Sequence, residues 1–481
     1  MTVYSVNAQE KMKRGADRPV KWYDMQMKPR NIFWIMTDEQ RSDTLHLSGG
    51  GCMPCVSALA NGAVRFDEAI TPAPMCIPAR TSILSGALPG STGVWRNRQN
   101  PAGEAASVPP TAGPMEWIRD HGYATVSLGK QHYRLNAKAF ATEESFILSD
   151  HVDYTGYLNG RDHRDYGGVR FPGPTPWIMA GVFPGPTNET SEWRLVDRAI
   201  ELVQERDWSR PLLMRLSFNA PHTPVSPPAE YLDRAPPVPD VPGSLLQIDP
   251  EWPLWLRLLQ GTYANATQLA PDELARVRRH YYAQCAFLDA MICRFVSFLR
   301  ETGLLEESVL VYTSDHGAHL GEHGLIQKQS FFRESVNVPF FFAGADVAPR
   351  VVETPVTVMS LLPTAGVLAG LTCPPIWRAL DFAGVARGTA ELAPAPVISQ
   401  GMLNPALLEH DNRLVMVREA NLKGVFDIDD PAERCLLYDL ERDPHELSSV
   451  DCDPLYANSL ERLRSIAHDA GRDGTIRKGA G

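Results

Sequence analysis

Four apolar runs that stop abruptly at polar residues constrain this chain more than any other feature. They occupy residues 32–36, 123–128, 212–218 and 309–313, and are followed by TDEQ, GKQH, NAPH and SDHG in turn. Continuous apolar runs of this length, separated by helical segments, predict buried and mostly parallel strands. In open α/β sheets ligands bind beyond the carboxyl ends of the strands. Each run ends there with an acid, a lysine or a histidine.

Helical spacing supplies the layers. Residues 191–204 carry Trp193, Val196, Ile200 and Val203 on one side, and residues 273–300 carry Tyr281, Cys285, Leu288, Ile292, Phe295 and Leu299. Such stripes pack on a sheet as core rather than around a cofactor. Between 220 and 255 the chain turns to proline, with PHTPVSPP and RAPPVPDVPG, which predicts an extended surface excursion. After about residue 375 short segments at 395–399, 412–418, 423–428 and 436–440 read as antiparallel strands, ahead of a terminal helix over 455–470. The expected organisation is an N-terminal extension over 1–30, a large α/β domain over 31–375, and a smaller α+β subdomain over 376–481.

Charge narrows the partners. Lysine and arginine total 46 against 57 acidic residues, a net charge of −11. The overall field repels phosphate backbones and acidic membrane surfaces, so neither nucleic acid nor membrane is expected as a partner. A small anion needs only a locally positive pocket. The first thirty residues hold no apolar run long enough for a signal peptide, and no later segment reads as a membrane span, so a cytoplasmic location is expected. The eight cysteines show no regular framework and read as thiols. Cys52-Met-Pro-Cys55 raises a metal or redox reading, but no second CxxC or nearby histidine pair completes a zinc site, and coincidence is preferred.

One of the cysteines stands apart. In PMCIPARTSILSG, residues 74–86, Pro78 fits a first helical position, residues 81–84 continue the turn and Gly86 can end it. Cys76 then lies just before a helix N-terminus with Arg80 able to reach back over the first turn, a place built for an anion. A thiol there has a lowered pKa, so a cysteine nucleophile and a buried structural cysteine are both open readings.

Set beside TDEQ, GKQH, APHTP and SDHGAHLGEHG, the Cys76-Ile77-Pro78-Ala79-Arg80 stretch resembles the type I sulfatases of the alkaline phosphatase superfamily, and the likeness runs from about residue 31 to YDLERDPHEL at 438–447. CxPxR is the signature at which that family converts its cysteine to formylglycine (3-oxoalanine). The resemblance implies an α/β/α sandwich around a large mostly parallel mixed sheet, with a smaller C-terminal subdomain. It implies that Asp38, Asp315 and His316 bind one divalent cation together with the modified Cys76, with Glu39 as a further carboxylate where many relatives have aspartate. The cation implied is Ca²⁺ first, with Mn²⁺ or Mg²⁺ as alternatives, since the Asp-His pair also occurs in choline sulfatases and phosphonate monoester hydrolases. Arg80, Lys130 and His132 surround the nucleophile by the same resemblance, His222 and Lys328 hold the sulfuryl and leaving oxygens, and Asn97 adds a polar contact to substrate. Gln131 stands inside GKQH where tryptophan is common. The implied partners are a small-molecule sulfate ester and a formylglycine-generating or other sulfatase-maturating enzyme, and homo-oligomerisation is left open.

The chemistry agrees with the residue types. As a sulfate ester breaks, negative charge moves to the leaving oxygen, which calls for a cation, fixed positive side chains and a proton donor. An aldehyde hydrate supplies one hydroxyl to attack sulfur and another to let the intermediate expel sulfate. Singly, Asp38 reads as well as a helix cap, His222 as a loop residue and Lys328 as a solvated charge; five motifs in the family's order favour the site. The nearest rival function is phosphonate monoester or phosphodiester hydrolysis, whose enzymes usually carry a GYT-type stretch where this chain has GKQH; a cysteine-phosphatase mechanism needs CxxxxxR, which Cys76 and Arg80 do not form, and a catalytically dead binding protein would be expected to lose a ligand or the CxPxR cysteine. Residues 150–170, charged and aromatic, read as a substrate-facing loop, with a solvated insertion or an oligomer contact as an equal alternative.

Overall fold

The protein is described by a computed structural model that covers residues 29–45, 51–97, 113–135, 138–145, 168–170, 178–235, 241, 249, 251–261, 265–403, 412–430, 432 and 434–473. Most of the stretch over 150–170 and of the second proline-rich segment lies outside the described residues.

All four apolar runs are strands: β1 (Ile32–Asp38), β3 (Ala124–Gly129), β5 (Leu212–Pro221) and β6 (Val309–Ser314). With β2 (Val64–Phe66), β4 (Thr142–Glu144), β7 (Phe340–Gly344) and β8 (Arg350–Val352) they form an eight-stranded sheet in the order β8-β2-β7-β6-β1-β5-β3-β4. Both neighbours of β1 run parallel to it, and only β7 is reversed. Side chains alternate between two buried faces. Phe33 and Ile35 join Met214, Leu216, Leu310 and Tyr312 on one face, while Ile32, Trp34 and Met36 join Leu213, Val309 and Val311 on the other. A sheet buried on both faces needs no polar alternation, which is why its strands read as unbroken apolar runs.

The first face is covered by α1 (Pro54–Asn61), α4 (Ser191–Glu205) and the long α5 (Pro271–Glu301), the second by α2 (Cys76–Ser85), α3 (Pro114–Asp120) and α6 (Leu361–Leu368). Helix α5 is the one described helix whose length and apolarity would suffice to cross a bilayer, against the expectation that no segment would approach this. Its stripe of Tyr281, Cys285, Leu288, Ile292, Phe295 and Leu299 is buried in the core, which accounts for that apolarity.

Four antiparallel strands, β9 (Val397–Met402), β10 (Arg413–Glu419), β11 (Leu422–Asp427) and β12 (Leu436–Asp439), form the smaller sheet. One face takes Leu463, Ala467 and Ala470 of α7 (Ala457–Asp473) against Val415 and Val417. The other turns Leu414, Met416 and Tyr438 onto Phe331, Phe332 and Trp255 of the larger unit. Residues 383–386 still pack in the large core. A buried Lys423–Glu446 ion pair then ties this sheet to the loop after β6, because Glu446 Oε2 accepts the Arg333 N–H at 2.7 Å. That loop carries Lys328.

Candidate active site

Apart from Lys328 and Asn97, which come from loops, the side chains of the site project from the carboxyl end of the large sheet or from the helix beside it. Asp38 closes β1, Lys130 follows β3, His222 follows β5, and Asp315 and His316 follow β6. Helix α2 begins at Cys76 itself, two residues earlier than Pro78 predicts. A proline anywhere in the first turn lacks only an N–H that has no intrahelical acceptor, so it tolerates the earlier start. Gly86 ends the helix at φ 68°, the left-handed conformation expected of it. Residues 76–84 are buried without exception.

Two turns need glycine for close approach. A Cβ on Gly129 would lie 2.1 Å from the Ser217 carbonyl oxygen, and one on Gly317 would lie 2.0 Å from that of Glu334. These contacts bring the GKQH and SDHG turns against their neighbours, and with them Lys130, His132, Asp315 and His316.

At the centre, Cys76 Sγ lies 3.2 Å from His316 Nε2, 3.3 Å from Lys328 Nζ and 3.7 Å from Asp38 Oδ1. Burial opposes ionisation of this thiol, but Lys328, Lys130 and His316, with a hydrogen bond from His132, hold it well below its ordinary pKa. Arg80 is fully buried and spent on structure: its Nε donates to Asp315 Oδ2 at 2.7 Å, while its two terminal nitrogens reach Asp38 Oδ2 at 2.8 Å and Ser217 Oγ at 2.7 Å. Lys130 Nζ sits 3.0 Å from Asp38 Oδ2 and 3.4 Å from Asn219 Oδ1. Burial raises the Asp38 carboxyl, yet Lys130, His222 and Arg80 outweigh it and leave the group well below the usual carboxylate range.

Asp38, Cys76, Asp315 and His316 bring their ligand atoms within 4.8 Å of one another. Two carboxylates and an imidazole nitrogen in one buried cluster suit a divalent cation, with Cys76 Sγ standing where the oxygen of its modified form would be. His316 Nδ1 lies 2.9 Å from the Gly317 carbonyl oxygen, which fixes the proton there and leaves Nε2 facing the cluster. Glu39 does not converge on this group. It gathers instead with Asp38 and His222.

Asn97 lies beside Cys76, where its Oδ1 accepts the Ile77 N–H at 3.0 Å and so caps α2. Ser217 and Asn219 are partners of Arg80 and Lys130 that the sequence reading passed over; both sit in or just after an apolar run, where a polar residue facing the site was the available signal. Cys52 and Cys55 are free thiols that hydrogen-bond with the free thiols of Cys285 and Cys293 on α5 respectively, and among the described residues no metal-type cluster includes them.

Gln131 has its own use. Arg215, fully buried on β5, packs its guanidinium 4.7 Å from the Phe140 ring centre and 5.3 Å from that of Trp34. Burial pushes it down to about 9. Gln131 Oε1 accepts from it at 2.8 Å while Gln131 Nε2 donates to the Gly129 carbonyl at 3.1 Å, so the residue joins the buried cation to the turn bearing Lys130. Gln131→Ala removes an acceptor from a buried charge. It is expected to lower global stability by about 2–3 kcal/mol, read as a lower denaturation midpoint at unchanged slope.

A family model described as "Sulfatase" matches residues 30–371. The choline-sulfatase of Rhizobium meliloti (strain 1021) is 28% identical over 459 residues, covering 88% of this chain and 83% of its own. Arylsulfatase K of Mus musculus is 25% identical over 451 residues, covering 86% and 75%. Among solved structures, a 2-O GAG sulfatase superposes with TM-score 0.73 at 20% identity over 93% of both chains. A phosphonate monoester hydrolase from Silicibacter pomeroyi superposes with TM-score 0.73 at 20% identity over 92% of this chain and 96% of its own. At that identity the two superpositions speak for the fold.

Proposed function

Because the chain belongs to the sulfatase family and hydrolyses sulfate esters, we propose that its nucleophile is formylglycine made from Cys76, working beside one divalent cation held by Asp38, Asp315 and His316. The observation that carries this reading is the setting of Cys76: a buried side chain at the first position of a helix, with Lys328, His316 and Asp38 within 3.7 Å of its sulfur. Ca²⁺ is the proposed cation on the strength of the carboxylates, and Mn²⁺ is the alternative that the His316 nitrogen favours. When bound, the cation supplies charge neutralisation at the sulfuryl group.

The protein's own residues do the rest. Arg80 offsets the two carboxylates and keeps them fixed while substrate comes and goes. Lys130 and His132, on one turn, face the nucleophile from the β3 side. His222 follows the neighbouring strand β5 and Lys328 comes from the loop after β6; these two hold sulfuryl oxygens and donate a proton or hydrogen bond to the leaving oxygen. A small-molecule sulfate ester is the proposed substrate.

Phosphonate monoester and phosphodiester hydrolysis is the second reading, and the GKQH turn weighs against it. A sulfate group presents only small oxygens, whereas a diester or phosphonate needs room for a carbon-bearing substituent, and Lys130 and His132 fill that wall. The test compares kcat/KM for a sulfate monoester, a phosphonate monoester and a phosphodiester of one alcohol, with mass spectrometry of the peptide containing Cys76. The sulfate ester is expected to lead, with formylglycine in the active protein. A larger value for the phosphonate would promote the second reading, and activity from unmodified Cys76 would end the first.

A further inference from the structure

Glu39 occupies a position from which it serves the substrate side of the site rather than the cation. Its Oε2 lies 3.3 Å from Lys328 Nζ and 3.5 Å from His222 Nε2. The backbone that aims it is unusual: Glu39 has φ 67°, a left-handed conformation that costs a non-glycine residue about 1–2 kcal/mol. Three hydrogen bonds around it maintain that geometry. The Glu39 N–H donates to Asp315 Oδ1 at 3.1 Å, its carbonyl accepts from the Tyr281 hydroxyl of α5 at 2.7 Å, and the same hydroxyl accepts the Arg41 N–H at 3.0 Å. A strained residue whose backbone is fixed by groups from two other elements is over-determined, and from it the carboxylate meets Lys328 and His222 while standing outside the Asp38–Cys76–Asp315–His316 group.

Length matters as well. An aspartate at this position is one methylene shorter, so its carboxylate would stay close to the backbone and to Asp38. The glutamate carries the charge outward to the two groups that face the substrate. A second cation between Asp38, Glu39 and His222 is opposed by the Lys328 ammonium, which already occupies the Glu39 oxygen.

We infer that Glu39 is a positioning residue for Lys328 and His222, fixing the pair that meets the sulfuryl and leaving oxygens, and is not a ligand of the catalytic cation. This rests on the proposed roles of Lys328 and His222. A lysine side chain has four rotatable bonds, and the Lys328 ammonium lies 3.3 Å from both Glu39 Oε2 and Cys76 Sγ, so it has more than one anion to turn to. Without the Glu39 carboxylate the ammonium can swing to the remaining anions, and the histidine keeps on its Nε2 side only the more distant Asp38, at 3.9 Å.

The test uses purified, metal-loaded Glu39→Gln and Glu39→Asp proteins, with metal content per chain by elemental mass spectrometry and kcat/KM for aryl sulfates of graded leaving-group pKa. Both variants are expected to keep the wild-type metal content. Both should lose about 10²-fold in kcat/KM, since displacement of a contact group by about 1 Å costs that much. The loss should grow as the leaving group becomes poorer, because the missing contribution is made at the leaving oxygen. Loss of metal in step with activity, or rescue by excess cation, would overturn the inference and make Glu39 a ligand. A second metal equivalent in the wild type that Glu39→Gln loses would overturn it too. Wild-type metal and activity in Glu39→Asp would likewise do so, since a shorter carboxylate can still bind a cation but cannot reach Lys328 and His222. If the wild type showed no sulfatase activity, the proposed function would fall, while thermal melting would still report a fold change and the metal content would still decide whether Glu39 binds the cation.

Discussion

Cys76→Ser is expected to lose sulfate-ester turnover by about 10⁴-fold or more, the scale seen when a covalent nucleophile is removed, while the unfolding transition stays within about 1 kcal/mol of wild type. The structural side of the expectation follows from size and place. Serine is smaller than cysteine, residue 76 is the first position of a helix whose next eight residues are buried on their own account, and Asn97 still caps the Ile77 N–H. The chemical side follows from counting hydroxyls. A serine that attacks sulfur becomes a sulfate ester itself, and it has no second hydroxyl with which to push sulfate out. The variant should therefore release at most one equivalent of alcohol per active chain and then stop. Mass spectrometry of the protein after incubation with substrate should find added sulfate on the peptide containing residue 76. Full multiple turnover by Cys76→Ser would end the formylglycine assignment.

Much of this arrangement is legible in the sequence, for identifiable reasons. A strand buried on both faces must be apolar at every position, so β1, β3, β5 and β6 announce themselves by composition alone, and their polar ends mark where the sheet opens. Asp38, Lys130, His222, Asp315 and His316 all lie within four residues of the end of such a run, but it is the resemblance to the sulfatases that singles them out from other polar residues there. What sequence order cannot carry is the direction of a side chain fixed from afar. Glu39 is adjacent to Asp38, yet its backbone is held by the hydroxyl of Tyr281, 242 residues away, and its carboxylate meets Lys328 and His222. The partnership of Gln131 with Arg215 is hidden for the same reason, since a polar residue inside an apolar run gives no sign of which buried acceptor it meets. Pro78 misleads on the helix start because proline is compatible with several positions in the first turn. Helix α5 passes a test of length and apolarity for a membrane span because a core helix and a lipid-facing one share that composition.

The second large effect is expected at Asp315. Its Oδ2 accepts from Arg80 Nε at 2.7 Å, and its Oδ1 accepts the N–H groups of Glu39 at 3.1 Å and His316 at 2.9 Å. Asp315→Asn keeps one carbonyl oxygen for the two backbone donors, so the turn retains its shape. The amide nitrogen then faces Arg80, where two donors meet without an acceptor, and a buried anion beside the cation cluster is gone. Arg80 keeps Asp38, so the fold is expected to survive with a loss of a few kcal/mol at most. The cation loses one of its two carboxylates in the cluster that Asp38, Cys76, Asp315 and His316 form, and charge there attracts it far more strongly than an amide oxygen can. Metal content at a fixed free cation concentration is expected to fall, with turnover dropping by about 10³-fold as several kcal/mol of charge neutralisation at the sulfuryl group disappear. Raising the free cation should restore part of both, and the two recoveries should follow one binding curve. Full metal content in Asp315→Asn with turnover still lost would remove Asp315 from the ligand set and leave it only the task of holding Arg80.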